Sequence, residues 1–109
     1  MINYTTPSIT LEVEGIDLTD NQDVYVTIVQ GTTELTKKGS DLTISYNSQT
    51  EVSTIVFSLT QEESASFQFA RSAQLQVNFI NASGVRDATN IASIDVLKNL
   101  LDEVIAYGD

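Results

Sequence analysis

Cysteine, histidine and tryptophan are missing from this chain, and proline occurs once. Without cysteine there is no disulfide, no thiolate metal site and no thiol nucleophile. Without histidine, Ser/His/Asp and Cys/His catalysis and imidazole-bearing zinc sites are excluded. Without tryptophan the chain lacks the broad ring that sugar-binding platforms favour. Positive charge is scarce: five Lys and Arg stand against fifteen Asp and Glu, a formal net charge of −10. Lys37, Lys38, Arg71, Arg86 and Lys98 are spread thinly. Phosphate backbones reward clustered basic residues, so the balance argues against nucleic acid as a partner. The same field repels anionic membrane surfaces. Long apolar runs are also lacking, so no segment reaches membrane-spanning length. The first residues, MINYTTPSITLEVEG, lack the basic and apolar regions of a signal peptide. The expectation is a protein made, and kept soluble, in a cytoplasm unless other machinery exports it.

Within these limits the chain is well supplied for a core. Its 109 residues, 41% of them hydrophobic, suit one domain that needs neither metal nor disulfide. Charged residues are only 18%, below the usual quarter. The polar surface therefore leans on Thr, Ser, Asn and Gln, as in β-rich proteins.

Period-two alternation dominates the first 96 residues. Ile9, Leu11 and Val13 alternate with polar neighbours and stop at Gly15. Residues 17–23 are polar and read as a loop. Val24, Val26 and Ile28 share one face, with Tyr25, Thr27 and Val29 on the other. A short strand over Thr33–Lys37 is followed by Leu42, Ile44 and Tyr46, and then by Ile55, Phe57 and Leu59. Ala73, Leu75, Val77 and Phe79 form the cleanest alternation, and Ala92, Ile94 and Val96 the last. Between them, Thr60-Gln61-Glu62-Glu63 has the form of a capping box. It predicts one or two helical turns over 61–67, with Phe67 or Phe69 plugging one end of the core. The pattern predicts a mainly β fold. Its form is an immunoglobulin-like antiparallel β-sandwich of about seven strands with a short crossover helix.

After Val96 the period changes. Leu97, Leu100, Leu101, Val104 and Ile105 fall at helical spacing, with polar residues opposite. The division expected is a sandwich over 1–96 and a C-terminal amphipathic helix over 97–109. So short a helix is marginal alone in water. It should form only when its stripe is buried, on its own sandwich or in a neighbouring subunit.

The remaining candidates are weak as chemistry. Glu12/Glu14 and Glu62/Glu63 are the carboxylate pairs a glycosidase would need. The first lies on the outward face of a strand, however, and the second follows a helix cap, where acids suit the helix dipole. Both read as surface charge. The loop from Asp17 to Asp23 lacks the spacing of a calcium-binding EF-hand. Asn3-Tyr4-Thr5 and Asn81-Ala82-Ser83 match the glycosylation pattern, but without a secretory signal chance explains them. Tyr25, opposite the core face of its strand, is the aromatic best placed for an outside contact. No enzyme and no cofactor is expected, and the expected partner-binding residues are Tyr25, Leu97, Leu100, Leu101, Val104 and Ile105.

Three stretches together carry a resemblance: Thr5-Thr6-Pro7 before an alternating strand, Leu59-Thr60-Gln61-Glu62-Glu63, and the run from Val96 through Leu97-Lys98-Asn99-Leu100 to Ile105. Leu75-Gln76-Val77-Asn78 and the Ser83-Gly84 turn lie between the last two. In this order they resemble small proteins encoded in the tail and structural regions of prophages of Gram-positive gut bacteria. They are also similar to the N-terminal sandwich domain of upper-baseplate proteins of lactococcal-type phages. The resemblance implies a bacteriophage virion structural or accessory protein of head or tail/baseplate, made in the bacterial cytoplasm and carried in the virion. Its partners would be other virion proteins and further copies of itself. The alternative reading is a β-sandwich adhesin or carbohydrate-binding module.

Overall fold

The computed structural model describes residues 1–20, 23–80, 83–97, 99 and 100. In chain order they form β1 (Ser8–Glu14), β2 (Asp23–Gln30), β3 (Thr33–Lys38), β4 (Thr43–Asn47) and β5 (Val52–Ser58). Helix α1 (Gln61–Ala65) then leads to β6 (Ser72–Ile80), β7 (Arg86–Ala88) and β8 (Ala92–Asp95). One antiparallel sheet has the order β1-β5-β4, and the other β3-β2-β6, with β7 and β8 both paired to β6.

The alternation read from the sequence becomes the interior between these sheets. Val24, Val26 and Ile28 of β2 and Ala73, Leu75, Val77 and Phe79 of β6 are buried, as are Ile55 and Phe57 of β5. Removing these side chains from water is the main favourable term of the fold. Phe67, just past α1, is buried, whereas Phe69 is exposed, so Phe67 is the plug. Thr60 caps α1 as expected: its hydroxyl accepts from the Glu63 N–H at 3.1 Å, and its own N–H donates to Glu63 Oε1 at 2.9 Å. The helix carries the chain from one sheet to the other.

Two features depart from the sequence reading. Leu18, in the stretch read as a polar loop, lies in a 3-10 turn (Leu18–Asp20) and is buried. Ser53 on β5 fixes that turn: its hydroxyl donates to the Ile16 carbonyl at 2.6 Å and accepts from the Leu18 N–H at 2.9 Å. An eighth strand, β7, joins the sheet with all three residues exposed, so it has no apolar period to betray it. Between the pairs Asn78↔Ala88 and Leu75↔Ala92 the edge advances four residues while β6 advances three. The extra residue is a β-bulge. Thr89 pins it, donating its N–H to the Val77 carbonyl at 2.9 Å and accepting the Val77 N–H on its hydroxyl at 3.1 Å.

No helix begins at Leu97. It lies instead in a parallel bridge with Ile2, and Leu100 sits in a bend. Leu101, Val104 and Ile105, like the rest of the expected C-terminal helix, lie outside the described residues. The bridge belongs to a seam along the outer side of the chain after β8. The Met1 amine donates to the Asp95 carbonyl at 2.8 Å, and Leu97 N–H to the Met1 carbonyl at 2.7 Å. Asn3 N–H donates to the Leu97 carbonyl at 3.0 Å, and Asn99 N–H to Asn3 Oδ1 at 2.9 Å.

Candidate functional site

Among the described residues, β1 is bonded on one side only, to β5. Its flanking bonds, Leu59 N–H to the Pro7 carbonyl and Gly15 N–H to the Glu51 carbonyl, fix which backbone groups face β5. In this register they are those of the odd-numbered residues, because hydrogen-bonded pairs alternate along an antiparallel ladder. The N–H and C=O groups of Ser8, Thr10, Glu12 and Glu14 therefore point away from the sheet, and among the described residues no strand meets them. Gly15, at φ +81°, ends the strand in a conformation that costs a Cβ-bearing residue energy.

Facing this edge is the bulged edge of the other sheet. Between them lies a groove of about 530 Å³. Its apolar lining is Leu11, Val13 and Ile16 from the β1 side and Leu75, Val77, Phe79, Ala88 and Ala92 from the other sheet. Glu12, Glu14 and Asp87 supply its charges, with Thr89 and Asn90 at the bulge. Leu11 and Val13 are only half-buried although they point inward, because the sandwich is open here. The carboxylate pair Glu12/Glu14 is exposed, as expected for surface charge, yet it stands at the mouth of this groove.

Much of the exposed large apolar surface among the described residues follows β6 in the chain. Val85, Ile91, Leu97 and Leu100 all belong to the segment that forms or prolongs the β7–β8 edge, and Ile2 is bridged to Leu97. Ile91 is 59% and Leu100 92% exposed. Of the expected stripe, then, Leu97 and Leu100 are brought to an open surface.

Tyr25 lies elsewhere, on the outer face of the five-stranded sheet, half-buried. It lines a shallow recess of about 430 Å³ with Asp23, Thr27, Thr36, Asn78, Phe79, Ile80 and Arg86. Lys38 Nζ stands 5.8 Å from the ring centroid, within cation–π range. Arg86 Nη2 donates to Asn78 Oδ1 at 3.1 Å. Tyr25 and the Leu97–Leu100 segment are thus separate surfaces.

Other sequence candidates resolve into structural roles. Lys37 Nζ meets Glu63 Oε1 at 2.9 Å. Burial pushes the Glu63 carboxyl up, but the Lys37 hydrogen bond and charge, with the two Thr60 bonds, outweigh it and hold the group below its ordinary value. Asp17 Oδ1 accepts the Thr19 N–H at 3.0 Å and also its hydroxyl, an Asx turn. Asn3 is buried, so its glycosylation pattern is not presented to solvent. Among the described residues no group of three or more acidic side chains could hold a metal ion. No family model matches the chain, and no curated protein does.

Proposed function

We propose that this chain is a protein–protein assembly module built on an immunoglobulin-like sandwich, and that the assembly is a bacteriophage virion, of head or tail/baseplate. The observation that carries the assembly reading is a β1 edge that no described strand meets, beside an apolar groove, together with the exposed side chains of Val85, Ile91, Leu97 and Leu100. Exposed edges with apolar side chains are templates for another chain unless something covers them. The sheet orders β1-β5-β4 and β3-β2-β6-β7 correspond to the B-E-D and C′-C-F-G strands of an immunoglobulin-like domain. In that pattern a first strand lies on the edge that β1 leaves open.

The virion part of the reading rests on the sequence resemblance, and it includes self-association and contact with other virion proteins. The exposed Leu97 and Leu100, with Leu101, Val104 and Ile105 of the same stripe, would be a second contact. Mass spectrometry of density-purified particles from a producing strain tests this. The chain is expected at a fixed copy number relative to the major capsid or tail protein, and its absence from particles would refute the virion role.

The recess around Tyr25, with Arg86 held by Asn78, favours a second reading as an adhesin or carbohydrate-binding module. On that reading a glycan array gives a signal that Tyr25→Ala removes.

A further inference from the structure

We infer that the open edge and its groove take an extended strand from a partner, laid along β1, whose alternate residues are apolar and basic. The inference deepens the assembly reading by naming the chemistry of what docks. The outward N–H and C=O groups of Thr10 and Glu12 are spaced to continue an antiparallel or parallel ladder. A strand seated there turns every second side chain into the groove, over Leu11, Val13, Leu75, Val77 and Phe79. The intervening side chains emerge beside Glu12 and Glu14, and the far wall carries Asp87.

Charge selects the occupant. The groove lining includes these three carboxylates and no Lys or Arg, so an acidic strand is repelled and a basic one is attracted. A second copy of this chain fits poorly for the same reason, since it carries a net charge of −10 and its own β1 would set Glu12 and Glu14 against their counterparts. The site therefore differs from a homotypic contact through Leu97 and Leu100.

The experiment uses the full chain and three labelled synthetic peptides, read by fluorescence anisotropy. One has seven residues, matching β1 in length, with valines alternating with lysines. The second replaces its lysines by glutamates. The third is the chain's own segment 97–109. The lysine peptide is expected to bind, at least about tenfold more tightly than the glutamate peptide, and more weakly as salt is added. Its binding should slow hydrogen exchange at the Thr10 and Glu12 amides, which a peptide held only by charge would leave unchanged.

Thr10→Pro removes one outward N–H without touching the β5 ladder, a place where an edge strand tolerates proline. It should abolish binding. Should Thr10→Pro fail to fold, the exposed pair Glu12→Lys/Glu14→Lys serves instead and should reverse the preference between the two charged peptides. No binding of the lysine peptide, equal binding of lysine and glutamate peptides, or tighter binding of segment 97–109 would each overturn the inference. Failure here with the chain still present at fixed copy number in particles leaves the assembly reading standing. Absence from particles removes that reading by itself.

Discussion

Ser53 shows how much of this fold hangs on single polar atoms. It has no exposed surface, and its hydroxyl serves both the Ile16 carbonyl and the Leu18 amide. Ser53→Ala strands both groups and should cost about 1–3 kcal/mol, seen as a lower urea midpoint with unchanged slope. Ala70 is strained in the opposite sense. At φ +63° it sits in the left-handed region while its N–H donates to the Val96 carbonyl at 2.9 Å. Ala70→Gly relieves that conformation and should raise stability by about 0.5–1 kcal/mol, measurable as a higher melting temperature. Glu63 is the residue whose charge the fold uses. Its carboxyl is held below its ordinary value, so the folded state binds that proton less readily than the unfolded chain does. The resulting stability is present above the ordinary carboxylate range and is lost as pH falls through the lowered value. In acid titrations followed by circular dichroism, Glu63→Gln should make stability less dependent on pH in that window.

Among the elements, the start of α1 was the most legible, because a capping box marks a helix N-terminus; its end was less so, since the span expected was 61–67 and the helix closes at Ala65. Thr60→Ala removes the hydroxyl that accepts the Glu63 amide and should destabilise the fold by about 1 kcal/mol, again read from urea denaturation. Strands β1, β2, β5 and β6 were legible too, since each sets every second side chain against the opposing sheet. β7 was not, because Arg86, Asp87 and Ala88 are all exposed and carry no apolar alternation to mark a strand. Leu18 was hidden by its polar neighbours: one apolar residue in a loop has no period, and its burial depends on Ser53, distant in sequence. Leu97 shows the limit of helical spacing as a signal. Its neighbours repeat at three and four residues, yet its own backbone is taken by Met1 and Asn3. The groove escaped the sequence reading for a related reason. Glu12 and Glu14 were recognisable as outward-facing, but whether β1 is an edge depends on which distant strand fails to pair with it.

At the scale of the whole molecule, charge and apolar surface pull in opposite directions. A net charge of −10 opposes contact between copies, whereas the exposed Val85, Ile91, Leu97 and Leu100 would favour it on the proposed assembly reading. Salt separates the two effects. Self-association through these side chains should strengthen with added salt as like-charge repulsion is screened; light scattering across a salt series checks the sign. A chain cut after Leu100 tests the stripe beyond it. Such a cut spares the bonds that Met1 and Asn3 make with Asp95, Leu97 and Asn99, whereas one after Val96 would remove those to Leu97 and Asn99. If the shortened chain scatters like the full one at every salt concentration, Leu101, Val104 and Ile105 take no part in association.

Those same bonds bear on how the molecule would carry load. The chain runs in the same direction at Ile2 and at Leu97, so tension applied to the two ends drags one segment along the other. Its bonds would stretch together instead of opening one after another. A component clamped within a particle and pulled at both ends would thus yield by sliding, a mode that resists sudden force better than peeling does.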